Sequence, residues 1–173
     1  MVTLSLFRHA KSAWDSPALG DFDRPLAPRG EKAAPRMGRY MAAENLEPDI
    51  VLCSTAARAR QTLELAAAEW TSSPEIRLEE GLYHAGPADM LRALRNLGEA
   101  YDHAMLIGHN PGMHALAINL SGTGDEAGLE AMEFKFPTAA LAVIDFDGTW
   151  PAVATGQGRL RRFVVPRELK ENE

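Results

Sequence analysis

The stretch that decides the fold lies near the start of the chain and reads Leu4-Ser5-Leu6-Phe7-Arg8-His9-Ala10-Lys11-Ser12. Residues 3 to 7 are mostly apolar and β-prone, which predicts a strand. Arg8 and His9 follow at its carboxyl end, where open α/β sheets bind their ligands. An imidazole between a guanidinium and an ammonium group predicts an anionic substrate. The alternative is that Arg8 and His9 only solvate the end of the strand.

Size and composition are those of a single globular domain. The chain has 173 residues, of which 46% are hydrophobic and 24% charged, so we predict one domain over residues 1–173. The formal net charge of −6 argues against a general nucleic-acid-binding surface. If the substrate is anionic, positive charge must therefore be concentrated locally. No apolar stripe is left over once the core is assigned, so the sequence predicts no particular oligomeric state.

Cysteine usage and hydropathy bear on the compartment. Cys53 is the only cysteine, which rules out an intramolecular disulfide and suits a reducing compartment. It stands in an apolar run and is expected to be buried and inert. No apolar run approaches membrane-spanning length, and the beginning of the chain shows no signal-peptide pattern. These features predict a cytoplasmic protein without a membrane partner.

Strand and helix patterns alternate along the chain. Strands are predicted over 3–7, 50–53, 76–78, 103–107, 141–146 and 160–165, and helices over 30–45, 56–70, from 87, and over 111–120. This alternation predicts a three-layer α/β/α sandwich with a mainly parallel central sheet. Pro35 could delay the start of the first helix, and Ser54-Thr55 is expected to cap the second. Residues 121–131 are predicted to be a mobile loop, and the tail from about residue 167 to be frayed.

Four basic side chains recur where predicted strands end. Arg8 and His9 follow the first strand, Arg58 the second and His109 the fourth. In a mainly parallel sheet these ends face one edge, so the residues could share one crevice, with helix amino termini adding partial positive charge. Two guanidinium groups and two imidazoles at such a crevice suit a phosphoryl group.

These residues resemble a known family. The segment from Leu6 to Trp14 is similar to the "RHG" signature of the histidine phosphatase superfamily, which includes phosphoglycerate mutases and acid phosphatases, and it resembles the SixA-type phosphohistidine phosphatase branch most. Four further stretches match in the same order along nearly the whole chain: Asp21-Phe22-Asp23-Arg24-Pro25-Leu26, Arg58-Ala59-Arg60-Gln61-Thr62, Leu82-Tyr83-His84-Ala85 and Gly108-His109-Asn110-Pro111-Gly112. The resemblance implies a phosphoglycerate mutase-like fold.

The resemblance also implies a role for each matching residue. His9 would be the nucleophile that carries the phosphoryl group, and Arg8, Arg58 and His109 would bind the phosphate oxygens. No metal and no cofactor is implied, and the substrate would be a phosphohistidine protein or a small phosphate compound. To attack phosphorus His9 must be neutral, and we expect nearby cations to lower its pKa. Two residues are candidates for the rim of the pocket, Ser12 and His84, and the alternative for His84 is an exposed histidine in a turn.

Three positions depart from the family pattern. Ala10 replaces the glycine of the signature, and Asp15 is expected to point away from the phosphate or to contact Arg24. Glu80 is the candidate general acid, although its spacing differs from that of the mutases. A weak acid is tolerable for a phosphoramidate, because solvent can protonate the leaving nitrogen. This favours phosphohistidine-like substrates over sugar phosphates.

Other functions remain open at the level of sequence. A general small-molecule phosphatase or phosphoramidase would use the same residues, and a binding module would capture phosphate or a phosphoprotein without turnover. A mutase is disfavoured because the chain is short. The five histidines show no H-x-x-x-H spacing, so we expect no zinc site. His103 and His114 are predicted to be structural, and Asp21 to fix its loop through Arg24 or Arg29.

Overall fold

A single mixed sheet forms the centre of the molecule. The computed structural model describes residues 1–14 and 19–169. Its sheet has seven strands in the order β3-β2-β4-β1-β6-β7-β5. The strands are Val2–Arg8 (β1), Ile50–Ser54 (β2), Glu75–Glu79 (β3), His103–Gly108 (β4), Ser121–Gly124 (β5), Leu141–Phe146 (β6) and Gly158–Val164 (β7). Only β6 runs against its neighbours, so the prediction of a mainly parallel sheet is confirmed.

Five helices cover the two faces of this sheet. They are Pro28–Ala43 (α1), Ala57–Ala67 (α2), Pro87–Arg95 (α3), Gly112–Leu120 (α4) and Glu126–Phe134 (α5). Met37 of α1 and Leu63 of α2 belong to one buried cluster, and Met90 of α3, Leu116 of α4 and Met132 of α5 belong to another. The predicted three-layer α/β/α sandwich is therefore confirmed.

Side-chain alternation in β1 explains why both faces are covered. Leu4 and Leu6 pack in the cluster beneath α3, α4 and α5, whereas Phe7 packs in the cluster beneath α1 and α2. Successive residues of a strand point to opposite faces, so a strand buried on both sides needs an almost continuous apolar run. The same run ends at Arg8, which leaves Arg8 and His9 at the carboxyl edge of the sheet.

The structure corrects the prediction of a mobile loop over 121–131. Residues 121–124 form β5, and α5 begins at Glu126. A Cβ atom on Gly122 would lie 2.1 Å from the carbonyl oxygen of Gly156, so the glycine permits a close backbone approach. The Asp125 carboxylate accepts a hydrogen bond from the Gly128 backbone N–H at 2.9 Å and caps α5. Glycine and aspartate are typical of loops, but here Gly122 permits a close backbone contact and Asp125 caps a helix.

Two predictions about helix starts are also wrong. Helix α1 begins at Pro28 and continues through Pro35, whose missing N–H is offset by the burial of Ala34 and Met37. Helix α2 begins at Ala57, and the Ser54 side chain caps none of its N–H groups. Ser54 instead bonds His109, as described below.

The described residues test only part of the predicted frayed tail. Pro166–Glu168 form a short 3-10 turn and Leu169 packs against the core beneath α1, whereas the rest of the predicted frayed tail lies outside the described residues. The expected placement of Asp15 also lies outside them. Within residues 1–14 and 19–169, no helix is long and apolar enough to cross a membrane.

Candidate active site

Sheet topology brings the four predicted site residues together. Strands β2, β4 and β1 are adjacent and parallel, so the segments that follow them meet at one edge. His9 follows β1, Arg58 lies in the first turn of α2, and His109 follows β4. The centres of the His9 and His109 rings are 5.1 Å apart. The shared crevice predicted from the sequence is therefore present.

The surroundings of His9 determine which of its nitrogens can react. Its Nδ1 lies 2.7 Å from the backbone carbonyl oxygen of Ala10. A carbonyl can only accept, so Nδ1 carries a proton and the lone pair resides on Nε2. Burial and, to a smaller extent, the charges of His109, Arg8 and Arg58 together lower the pKa of His9 to about 3, against the opposing effect of the Ala10 carbonyl. His9 is thus neutral at physiological pH.

Thr62 links the nucleophile loop to the helix that carries Arg58. Its hydroxyl donates to the Arg58 backbone carbonyl at 2.7 Å and accepts from the Ala10 N–H at 2.9 Å. On the other side, the Ala139 N–H donates to the carbonyl groups of Arg8 and His9. The backbone on both sides of His9 is therefore fixed by hydrogen bonds.

Both guanidinium groups have a buried Nε–H without a partner among the described residues. Arg8 donates from Nη1 to the Phe136 carbonyl at 3.0 Å, and Arg58 is only 6% exposed. Burial and the charge of Arg58 lower the pKa of Arg8. Buried, unpaired N–H donors on neighbouring cations are costly unless an anion binds them. They are suited to phosphate.

His109 has a different hydrogen-bonding pattern from His9. Its Nε2 lies 2.8 Å from the Ser54 hydroxyl, and its buried Nδ1 has no partner in the described part of the chain. The Ser54 oxygen also accepts from the Ala56 N–H at 3.3 Å, so its own proton can go to Nε2 of His109. Burial, with the charge of Arg58, lowers the pKa of His109 to about 4.

Asp21 is a site residue whose position the sequence interpretation missed. Arg58 donates to its backbone carbonyl at 2.7 Å and to its carboxylate at 3.1 Å, and Arg24 donates to the same carboxylate at 2.9 Å. Tyr83 also donates to it. These bonds, that from Tyr83 most, lower the pKa of Asp21. The predicted contact with Arg24 is confirmed, whereas the bond to Arg58 could not be inferred because the two residues are distant in sequence.

Three further residues are candidates from the sequence, and their surroundings differ from those of Arg8, His9, Arg58 and His109. Ser12 is buried and accepts a bond from Arg24 at 2.6 Å, so it supports the loop and does not form the rim. His84 stacks on Tyr83, and both line a cavity of about 260 Å³ beside His109. Glu80 is exposed in the 3-10 turn Glu80–Leu82 and does not line this cavity.

The remaining histidines and Cys53 have structural surroundings. His103 bonds the Ser5 hydroxyl at 2.7 Å, and His114 donates to the Met132 carbonyl at 2.6 Å. Burial raises the pKa of the Cys53 thiol to about 12, so it is not a nucleophile. Over residues 1–14 and 19–169, no group of three His, Cys, Asp or Glu side chains could hold a metal ion.

This geometry combines a neutral imidazole with buried, unpaired donors on three neighbouring side chains. Such an arrangement can hold a tetrahedral anion while a lone pair attacks it. The sequence profile of the histidine phosphatase superfamily (branch 1) matches residues 4–86. Together with the full-length relatives described next, this match shows that the chain belongs to the histidine phosphatase superfamily, in its SixA-type branch.

The relatives extend over nearly the whole chain. An uncharacterised protein of Mycobacterium tuberculosis is 41% identical over 163 residues, which are 92% of this chain and 99% of that protein. The candidate phosphohistidine phosphatase SixA of Agrobacterium tumefaciens is 33% identical, with a TM-score of 0.82 over 95% of this chain and 98% of that one. A second candidate SixA, from Nakamurella multipartitia, is 29% identical, with a TM-score of 0.79 over 95% and 96% of the two chains.

Proposed function

We propose that the protein is a metal-independent phosphohydrolase that dephosphorylates protein phosphohistidine through a covalent intermediate on His9. The observation that carries this proposal is the bond from His9 Nδ1–H to the Ala10 carbonyl. It leaves Nε2 as an unprotonated nucleophile beside two arginines and His109. Phosphoryl transfer depends mainly on positioning and on charge stabilisation, and Arg8 and Arg58 supply fixed positive charge for it.

The proposed reaction has two steps. His9 Nε2 attacks phosphorus in line, so an N–P bond forms as the bond to the leaving group breaks, and the leaving nitrogen takes a proton from solvent. Water then attacks the phosphoryl group on His9, which releases inorganic phosphate and restores neutral His9. Arg8 and Arg58 bind the non-bridging oxygens in both steps, and His109 donates from Nδ1.

The surroundings of the acidic residues support a phosphoramidate substrate. Glu80 is exposed and is not among the residues that line the cavity beside His109, and Asp21 is held ionised by Tyr83, Arg24 and Arg58. Without a well-placed general acid, an alkoxide leaving group departs slowly. An imidazole leaving group departs readily, because solvent can protonate its nitrogen. The SixA names of the structural relatives agree with this choice. Glu80 is still the candidate general acid if the reaction uses one. The cytoplasmic location is a separate prediction from the sequence.

The test compares a phosphohistidine-containing protein with p-nitrophenyl phosphate, without added metal. We expect wild type to prefer phosphohistidine and His9→Ala to lose at least about a thousandfold in kcat/KM. His103→Ala is the matched control, because His103 lies at the opposite edge of the sheet, where β4 begins. Wild type should also form an acid-labile, base-stable phosphoryl adduct that His9→Ala lacks.

Other results would select the alternatives. Activity on the aryl ester alone would indicate a general small-molecule phosphatase. Phosphate binding without turnover of either substrate would indicate a binding module. Normal activity in the His9→Ala variant would exclude the mechanism proposed here.

A further inference from the structure

A second cavity, which we call the basic groove, has a volume of about 460 Å³. Its charged lining residues are all cationic: Lys11, Arg29, Lys32, Arg36, Lys135 and Arg167. Ala33, Pro137 and Val165 are among the residues that supply apolar surface between them. Among residues 1–14 and 19–169, no carboxylate lines the groove, although the chain as a whole carries a formal charge of −6. The groove therefore concentrates more positive charge than the binding of one phosphate group requires.

The basic groove lies along the same sheet edge as the phosphate site. β7 is parallel to β1 because both run antiparallel to β6, so the segment after β7 emerges at the same edge of the sheet as His9. Lys11 follows β1, Lys135 precedes β6 by a few residues, and Arg167 follows β7. The phosphate site occupies the ends of β2, β4 and β1, and the groove occupies the ends of β1 and β7 and the start of β6.

Backbone groups of residues 135–139 connect the groove to the phosphate site. The Phe136 carbonyl accepts from Arg8, and Phe136 stands between Lys135 and Pro137 of the groove. The Ala139 N–H donates to the carbonyl groups of Arg8 and His9, one residue after Thr138 of the groove. A ligand that extends from the phosphate site along the sheet edge would therefore reach these cations.

Five of the cations that line the groove are available to a partner. Lys11, Arg29, Lys32, Lys135 and Arg167 form no ion pair among the described residues. All of them except the half-buried Lys11 are exposed. Tight sites for a small phosphate use buried arginines in fixed geometry, as Arg58 does. Exposed, flexible cations instead attract carboxylates on an extended segment and speed its association.

We propose that the basic groove docks an acidic segment of the phosphoprotein substrate while its phosphohistidine enters the phosphate site. This inference rests on the proposed function and adds to it a substrate class: proteins whose phosphohistidine is accompanied by neighbouring aspartate or glutamate residues. The groove would contribute to KM, and to its salt dependence, without taking part in the chemical step.

The test uses three substrates and a double variant. The substrates are a phosphohistidine peptide with an acidic flank, the same peptide with glutamine at the acidic positions, and free phosphohistidine. Lys32→Gln/Lys135→Gln removes two exposed charges but keeps an unbranched polar side chain at each position. We expect it to lower kcat/KM about tenfold for the acidic peptide only, mainly through KM, and less at high salt. The matched control, Arg39→Gln/Arg92→Gln, removes two exposed cations outside the groove.

Equal losses on all three substrates, or no loss on the acidic peptide, would overturn the docking proposal. Direct binding of an unphosphorylated acidic peptide separates this outcome from failure of the proposed function, because it needs no turnover. Binding by wild type that the groove variant loses and the control keeps would support docking. Absent binding, or equal binding by the groove variant, would overturn it. Equally tight binding of a polyphosphate chain would also overturn it, in favour of a phosphate-polymer site.

Discussion

At the scale of the residue, His9 and His109 carry the same side chain in different hydrogen-bonding states. A carbonyl fixes the proton of His9 on Nδ1, whereas a hydroxyl contacts Nε2 of His109 and leaves Nδ1 unpaired. The first pattern suits a nucleophile and the second a donor. The division of roles that we propose therefore follows from the neighbours of each imidazole and not from its identity.

Asp21 provides a prediction at this scale. Its carboxylate neutralises Arg58 and Arg24 and would repel a bound phosphate. Asp21→Asn should therefore tighten binding of inorganic phosphate about threefold to tenfold at low salt, since Arg58 keeps its bond to the Asp21 backbone carbonyl. Product-inhibition constants at two salt concentrations measure this, with the exposed neighbour Asp23→Asn as control. Weaker phosphate binding would mean that Asp21 matters more by positioning Arg58 than by its charge.

At the scale of the element, helices α1 and α2 approach each other at Gly38. A Cβ atom there would lie 2.3 Å from the Ala66 carbonyl oxygen, so the two backbones come this close because residue 38 has no side chain. The contact matters for the site because α2 carries Arg58 and also Thr62, whose hydroxyl accepts from the Ala10 N–H next to His9.

The corresponding prediction concerns Gly38→Ala. Alanine favours a helix over glycine by about 1 kcal/mol, yet we expect the variant to lose about 1–3 kcal/mol of unfolding free energy because α1 and α2 must separate. Gly98→Ala is the control, since nothing lies within 4 Å of a Cβ atom there. Urea denaturation measures both variants. A Gly38→Ala variant as stable as wild type would show that the helices adjust freely.

At the scale of the whole molecule, positive charge is gathered at one edge of an acidic protein. The phosphate site and the basic groove share that edge, while the formal charge of the chain is −6. Burial of neutral histidines also couples the fold to pH. Burial lowers the pKa of His9 to about 3, and those of His103 and His109 to about 4.

Stability should therefore fall on acidification. A histidine with a lowered pKa in the folded state stays neutral there, while the unfolded chain takes up its proton below about pH 6.5. Its contribution is complete above pH 6.5 and is lost as the pH falls toward 4. His103→Gln should make the pH dependence of the unfolding free energy shallower by about 1.4 kcal/mol per pH unit between pH 4 and 6. Loss of the Ser5 bond shifts the whole curve but not its slope, so an unchanged slope would contradict the prediction.

The sequence by itself determined the layers, the mainly parallel sheet and the four central residues of the candidate site. Each of these follows from local information: an apolar run predicts a strand, Arg8, His9 and His109 stand where strands end, and Arg58 lies in the first turn of the helix after β2. Parallel strands that share one edge then bring such residues together without any knowledge of side-chain packing.

Only the tertiary structure decided the features that depend on contacts between distant segments. The bonds of Asp21 to Arg58 and Tyr83, the bond of Ser54 to His109 and the basic groove each join residues far apart in sequence. The assignment of 121–131 failed for the same reason, because its glycines were needed for close packing against Gly156 and Leu160. Periodicity reports what one segment prefers, whereas hydrogen-bond partners and close approaches are fixed by the neighbours that the fold supplies.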